Sequence, residues 1–167
     1  MIEYRMVPLS ADADVSGFDC GNEDLNDFLI SDALNNINDW LSVTHLMYIE
    51  NELAGFFTIT PDTLHKGRIE LSDKLDDYPY QKYPAIKLAR IAVDKRFQHM
   101  GYANELMNEF FEVARDAVDV EGGRFLTVDA KKGVTGFYEK FGFRAVTSAK
   151  ANETVPMYLD FFKYYNL

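Results

Sequence analysis

Two spacings of apolar residues alternate along the chain. Leu25, Phe28, Leu29, Ala33, Leu34, Ile37 and Leu41 recur at three- and four-residue intervals, which predicts a helix with one buried face. Asn22 precedes it as a natural N-cap. Glu23 and Asp24 follow where negative charge suits the positive end of a helix. Ala103, Leu106, Met107, Phe110, Phe111, Ala114, Ala117 and Val118 predict a second, long helix opened by Gly101-Tyr102 and closed by Gly122-Gly123. A third, short helix carries Val134, Phe137, Tyr138 and Phe141 on one side and stops at Gly142. Between these lie runs that read as strands at residues 3–9, 44–50, 53–60, 86–93, 124–130, 143–148 and 155–162. Asn51-Glu52 joins the second and third as a hairpin, and Pro61 is expected to end or bend the third. Residues 66–84, polar and containing Pro79 and Pro84, read as a long loop with a short helix. This order of strands and helices predicts one α/β (α+β) domain over residues 1–167, with a mixed, mostly antiparallel sheet.

Charge sharpens this outline. The formal net charge is −10, and residues 1–60 hold eleven acidic residues against one basic residue, Arg5. That segment reads as a solvated acidic face or as the border of a site for a cationic ligand; broad contact with nucleic-acid phosphates is disfavoured. Cys20 is the only cysteine, so no disulfide can form within the chain, and it reads as a buried apolar residue, a nucleophile being the alternative. The three histidines, His45, His65 and His99, have no metal-ligand spacing, so no metal is expected. Residues 1–9 lack the pattern of a signal peptide, and no apolar run approaches the ~20 residues of a membrane span, so a cytoplasmic protein without membrane contact is expected.

The stretch with the most chemical content is residues 86–107. A buried strand leads through Asp94-Lys95-Arg96-Phe97-Gln98-His99-Met100 into Gly101-Tyr102-Ala103 and the long helix. The first amides of a helix lack internal partners and carry partial positive charge, so strand, turn and helix together make an anion site. Small residues at 101 and 103 would let a diphosphate reach the backbone, with Lys95 and Arg96 adding charge nearby. A plain strand-to-helix connection with a glycine in its turn is the alternative.

Gln98-His99-Met100-Gly101-Tyr102-Ala103 resembles the R/Q-x-x-G-x-G/A signature of the GNAT superfamily of N-acetyltransferases. The resemblance implies a twisted sheet with a splayed central strand and helices on both faces. It also implies acetyl-CoA as co-substrate, its diphosphate held by the backbone of residues 98–103, with Arg96 beside it. Leu88-Ala89-Arg90-Ile91-Ala92-Val93-Asp94 is similar to the family's central strand, which implies that Ile91, Ala92 and Val93 lie along the pantetheine arm, Ile91 and Val93 bonding it through backbone groups.

A second match, Gly136-Phe137-Tyr138-Glu139-Lys140-Phe141-Gly142-Phe143, resembles the family's FY-x-x-x-GF segment. It implies that Tyr138 protonates the leaving thiolate; read without the family, Tyr138 belongs to the apolar stripe of its helix. Asp129-Ala130-Lys131-Lys132-Gly133 lacks the asparagine that many members carry near this point.

Phe18-Asp19-Cys20-Gly21 followed by Leu25 and Phe28-Leu29 is similar to the opening of a subgroup that includes tRNA-acetylating toxins. The expected acceptor is nonetheless a primary amine on a small cationic molecule or peptide, because of the acidic first third. A toxin-like enzyme acting on aminoacyl-tRNA is the alternative; it would need Lys82, Lys87, Arg90, Lys95, Arg96, Lys131 and Lys132 to gather. A non-catalytic acyl-CoA-binding module is a third reading. Asp129 and Glu70 are candidates for a general base, each also readable as a surface carboxylate, and the resemblance allows a homodimer.

Overall fold

The computed structural model describes residues 3–147 and 153–166. Its elements are β1 (Arg5–Pro8), α1 (Glu23–Asp27), α2 (Ala33–Asn38), β2 (Val43–Ile49), β3 (Glu52–His65), β4 (Lys82–Val93), α3 (Tyr102–Glu121), β5 (Phe125–Lys131), α4 (Thr135–Glu139), β6 (Arg144–Ala145), β7 (Thr154–Asp160) and α5 (Phe161–Asn166). The strands hydrogen-bond in the order β1-β2-β3-β4-β5-β7-β6. β4 and β5 run parallel; β1/β2, β2/β3, β5/β7 and β6/β7 are antiparallel, giving the mixed, mostly antiparallel α/β sheet that the sequence predicts.

The chain forms two compact units. The first is Met1–Thr60 with Ala89–Val113. Its first helix starts as expected: the Asn22 side chain accepts from the Leu25 amide at 3.1 Å. One wide π turn, Phe28–Asp32, separates α1 from α2 and lets Phe28, Leu29 and Ala33 all face inward. They pack with Leu46, Leu53 and Phe56 into the core of this unit. Gly55 of β3 sits where no side chain fits. A Cβ there would meet the Ala92 carbonyl oxygen at 2.8 Å and Leu106 Cδ1 at 3.0 Å. Gly55→Ala is therefore expected to destabilise the protein by about 1–3 kcal/mol through overpacking, read as a lower urea midpoint with an unchanged slope. An unaltered midpoint would show that the strands part at little cost.

The second unit is Pro61–Leu88 with Ala114–Leu167. Its core packs Tyr83 at a tilt against Phe125 and sets Phe125 edge-on to Tyr158. The Tyr158 hydroxyl donates to buried Asp73 at 2.7 Å and accepts from the Glu70 amide at 2.9 Å. The parallel pairing of β4 with β5 spans only Ala85–Leu88 against Phe125–Val128, while β4 itself continues five residues to Val93.

Three local expectations need correction. β3 runs through Pro61 to His65, because its pairing with β2 ends at Ile59 and the missing proline N–H leaves no β2 carbonyl unserved. The strand expected at 143–148 shortens to Arg144–Ala145, Ser148 lying outside the described residues. The last strand ends at Asp160, not Phe162. The Asp160 carboxylate accepts from the Lys163 amide at 3.1 Å, caps a turn and starts α5. The loop at 66–84 holds two short 3-10 turns, Lys66–Arg68 and Leu71–Asp73, and β4 begins before it ends.

Candidate functional site

β4 delivers the chain to a loop that is braced from beneath. Along the strand's last turn of pleat Ala92 is buried in the core, while Ile91 and Val93, two residues apart, share the other face and are half-buried. Asp94 then turns inward and is 2% exposed. Its amide donates to the Ala54 carbonyl at 2.7 Å. Its carboxylate accepts from the Asp19 amide at 3.1 Å and from the Arg96 amide and Nε at 3.0 Å each. Burial alone would raise the Asp94 carboxyl, but hydrogen bonds from Arg96 and from the Asp19 amide prevail and hold it below the usual carboxylate range. A depressed value in the folded state stabilises the fold above the unfolded value of about 4, and this is lost as pH falls through the folded one. Asp94→Asn is thus expected to cost about 1–2 kcal/mol at pH 7 and to flatten the acid limb of urea midpoint against pH; equal limbs in both proteins would contradict this.

Further clamps follow. Lys95 pairs with Asp19 at 3.1 Å, and its amide donates to the Asp19 carbonyl at 2.8 Å. The Gln98 amide nitrogen donates to the carbonyls of Cys20 and Val93, both at 2.8 Å. Asn26 completes the brace, accepting from the Cys20 amide and donating to Asp19. The loop then turns through left-handed backbone at His99 (φ 62°) and Gly101 (φ 90°) and enters α3 at Tyr102. Around this corner lies a pocket of about 300 Å³ lined by Val93, Phe97, Gln98, His99, Gly101, Tyr102, Ala103 and Asn104. Gly101 to Asn104, the residues that open a 20-residue helix, line it, and the first amides of a helix have no partner within it, the chemistry that suits an anionic group such as a diphosphate.

Of the residues singled out from the sequence, Val93, Gln98, His99, Gly101, Tyr102 and Ala103 come together at this pocket. Met100 is exposed beside it. Arg96 turns its guanidinium to Asp94, Glu52 at 3.5 Å and the Leu53 carbonyl at 3.3 Å. Sequence reasoning overlooked Asp94, Asp19 and Asn26 as the supports of the loop. The signal was present at Asp94, an aspartate placed to cap the Lys95–Phe97 turn.

Tyr138 belongs to the second unit. It is 8% exposed on α4, with Phe137 and Phe143 edge-on at 5.1 and 6.0 Å. Gly142 (φ 100°) reverses the chain so that the Phe141 and Phe143 amides donate to the Tyr138 carbonyl. Burial pushes the phenol up to about 12, so the hydroxyl keeps its proton throughout the neutral range. Of the candidate bases, Asp129 is paired with Lys87 at 2.7 Å, and Glu70 is exposed ahead of the Leu71–Asp73 turn. Among the described residues no group of three or more His, Cys, Asp or Glu is placed to hold a metal ion, and no helix is long and apolar enough to cross a membrane.

The family model described as acetyltransferase (GNAT) family matches residues 14–143, more than three quarters of the chain. This chain belongs to the GNAT acetyltransferase family. It is an N-acetyltransferase with acetyl-CoA as acetyl donor. Solved structures share its fold over nearly the full length. A bacterial toxin superposes with a TM-score of 0.88 at 20% identity, covering 99% of this chain and 95% of the other. A tyrosine-to-phenylalanine mutant of KacT gives 0.86 at 22% identity, covering 98% of each. AtaT complexed with acetyl-methionyl-tRNAfMet gives 0.81 at 24%, covering 93% of this GNAT chain and 94% of the other.

Proposed function

We propose that this acetyltransferase moves the acetyl group directly onto a primary amine of a small cationic molecule or basic peptide, with the loop 98–103 and α3 holding the donor's diphosphate and Tyr138 serving the departing sulfur. Acetyl-CoA supplies an acyl group on a thiol leaving group. The backbone amides at Gly101, Tyr102 and Ala103 anchor its diphosphate, while Gln98 holds the loop in shape from within. Ile91 and Val93 offer backbone groups along a stretch of β4 that outruns its parallel pairing with β5. The Tyr138 hydroxyl gives its proton to the sulfur as the carbon–sulfur bond breaks, and recovers one from the attacking nitrogen as the amide forms. A phenol shifted upward suits that relay, because its transient phenolate is a strong base for the nitrogen's proton. No separate carboxylate base is then required.

The observation that carries the choice of acceptor is how positive charge is used. Four of the seven cations that a nucleic-acid groove would need are engaged within the chain. Lys87 pairs with Asp129, Lys95 with Asp19, and Arg96 with Asp94 and Glu52. The Arg90 guanidinium lies 3.8 Å over the Phe28 ring. Meanwhile residues 6–65 contain no lysine or arginine. Such a surface attracts cations and repels phosphates.

Acetylation of aminoacyl-tRNA is the second reading, favoured by the likeness to AtaT bound to acetyl-methionyl-tRNAfMet. A thiol-release assay with acetyl-CoA against polyamines, aminoglycosides, lysine peptides, neutral amines and aminoacyl-tRNA separates the two. Cationic amines are expected to react fastest. Turnover of aminoacyl-tRNA alone, or equal rates with uncharged amines, would overturn the proposal.

A further inference from the structure

The only tryptophan in the chain is, among the described residues, the most solvent-exposed large apolar side chain. Trp40 is 94% exposed and has a left-handed backbone, φ 59°. It closes α2: its amide donates to the Ile37 carbonyl at 3.1 Å, and the Leu41 amide donates to the Asn36 carbonyl at 2.8 Å. This is the glycine-favouring helix stop known as the Schellman motif, with a bulky Cβ-bearing residue in the position glycine normally takes. Neither local backbone preference nor burial accounts for tryptophan here, so the reason for it lies outside the folded chain. Its apolar neighbours extend the patch. Leu41 is 59% exposed, and Val43 and Ile30 are each 43% exposed. Beneath it Leu34 and Ile37 of α2 are half-buried and pack against the core of this unit.

The charge around this patch specifies what covers it. Glu23, Asp24, Asp27, Asp32 and Asp39 are exposed on the same helical segment. Among the described residues, the ion pairs of this unit use Asp19, Glu52 and Asp94 and none of those five. Asp32 feels Arg90 only through a weaker electrostatic attraction. A second copy of this surface would set acid against acid. A segment with lysines or arginines beside apolar side chains satisfies both features, seating an apolar residue on Trp40 and its cations among the aspartates.

We infer that the Trp40–Leu41–Val43 patch and the acidic residues of α1 and α2 form a docking surface for a basic polypeptide segment with apolar anchors, separate from the choice of acetyl acceptor. The test needs no acetyl-CoA. A fluorescein-labelled 16-residue peptide of alternating lysine and leucine is titrated with the full protein and followed by anisotropy, while the lone tryptophan reports docking through a blue shift of its emission. Binding is expected to weaken at least tenfold in Trp40→Gly, in the triple variant Asp27→Asn, Asp32→Asn, Asp39→Asn, and with a peptide carrying serine in place of leucine. Trp40→Gly is also expected to melt about 2–4 °C higher, because glycine relieves the left-handed turn. Wild-type peptide affinity in Trp40→Gly, equal binding of the serine peptide, or a lower melting temperature of that variant would each overturn the inference. So would a blue shift that grows with protein concentration without peptide, which would assign the patch to a second copy of the chain.

Discussion

Gly101→Glu is expected to raise the Kd for acetyl-CoA at least 100-fold, about 2.7 kcal/mol, in a calorimetric titration. Two effects combine. Gly101 has φ 90°, a conformation that any Cβ opposes, so every substitution there distorts the corner of the loop. The carboxylate then adds its own charge beside the amides that open α3, where it occupies the helix's positive end in place of a phosphate. Gly101→Ala separates the two contributions, carrying the backbone strain without the charge; its affinity is expected to fall by about 30-fold or less, since strain of this kind costs about 1–2 kcal/mol. The fold should tolerate the glutamate, because an acidic residue at a helix N-terminus is itself favourable. A glutamate variant that takes up acetyl-CoA as tightly as wild type would remove the pocket at residues 93–104 from the donor site.

How much of this was legible beforehand depends on whether the signal was local. The long helix was, because Leu106, Met107 and Phe110 are fully buried at the spacing its pattern prescribes. Asn22 was legible as a cap for the same reason: its partner is three residues away. The pocket at Gly101 could be read because a strand, a glycine turn and a helix start follow one another directly. What escaped were contacts across sequence distance. Asp94 accepts from Asp19, 75 residues away, and Gln98 donates to the Cys20 carbonyl, 78 residues away. Nothing in the spacing of Asp19, Cys20 or Asn26 marks them as a platform for a loop so far along the chain. Gln98 shows the difference well. Its place in the signature was visible, but not that its side chain is spent on two carbonyls and contributes to the site through the backbone it holds. The C-terminal helix was misread for another reason. Phe161 and Phe162 suit a strand by residue type, while the Asp160 cap and the contact of Phe161 with Tyr165 favour the helix.

Tyr138→Phe is expected to lower the turnover number about 100-fold or more while leaving the Kd for acetyl-CoA within about twofold of wild type. In the proposed reaction the hydroxyl serves only the two proton transfers of the chemical step, to the departing sulfur and from the attacking nitrogen, so its loss should appear in that step and not in donor binding. Folding is a weak confounder. The ring stays packed against Phe137 and Phe143, and deleting one hydroxyl oxygen from so buried a side chain shifts stability by about 1 kcal/mol or less. The pH profile adds a second readout. Burial pushes the Tyr138 phenol up to about 12, so the group is protonated and ready to donate at every pH below that value. The rate should therefore climb with pH as the acceptor amine, of ordinary pKa about 10, loses its proton, with no descending limb before about pH 10. A descending limb near pH 8 that disappears in the phenylalanine variant would mean that Tyr138 titrates far below the value its burial imposes. Full activity in that variant would mean that the departing sulfur finds its proton elsewhere, leaving Tyr138 as one more ring in the apolar side of α4.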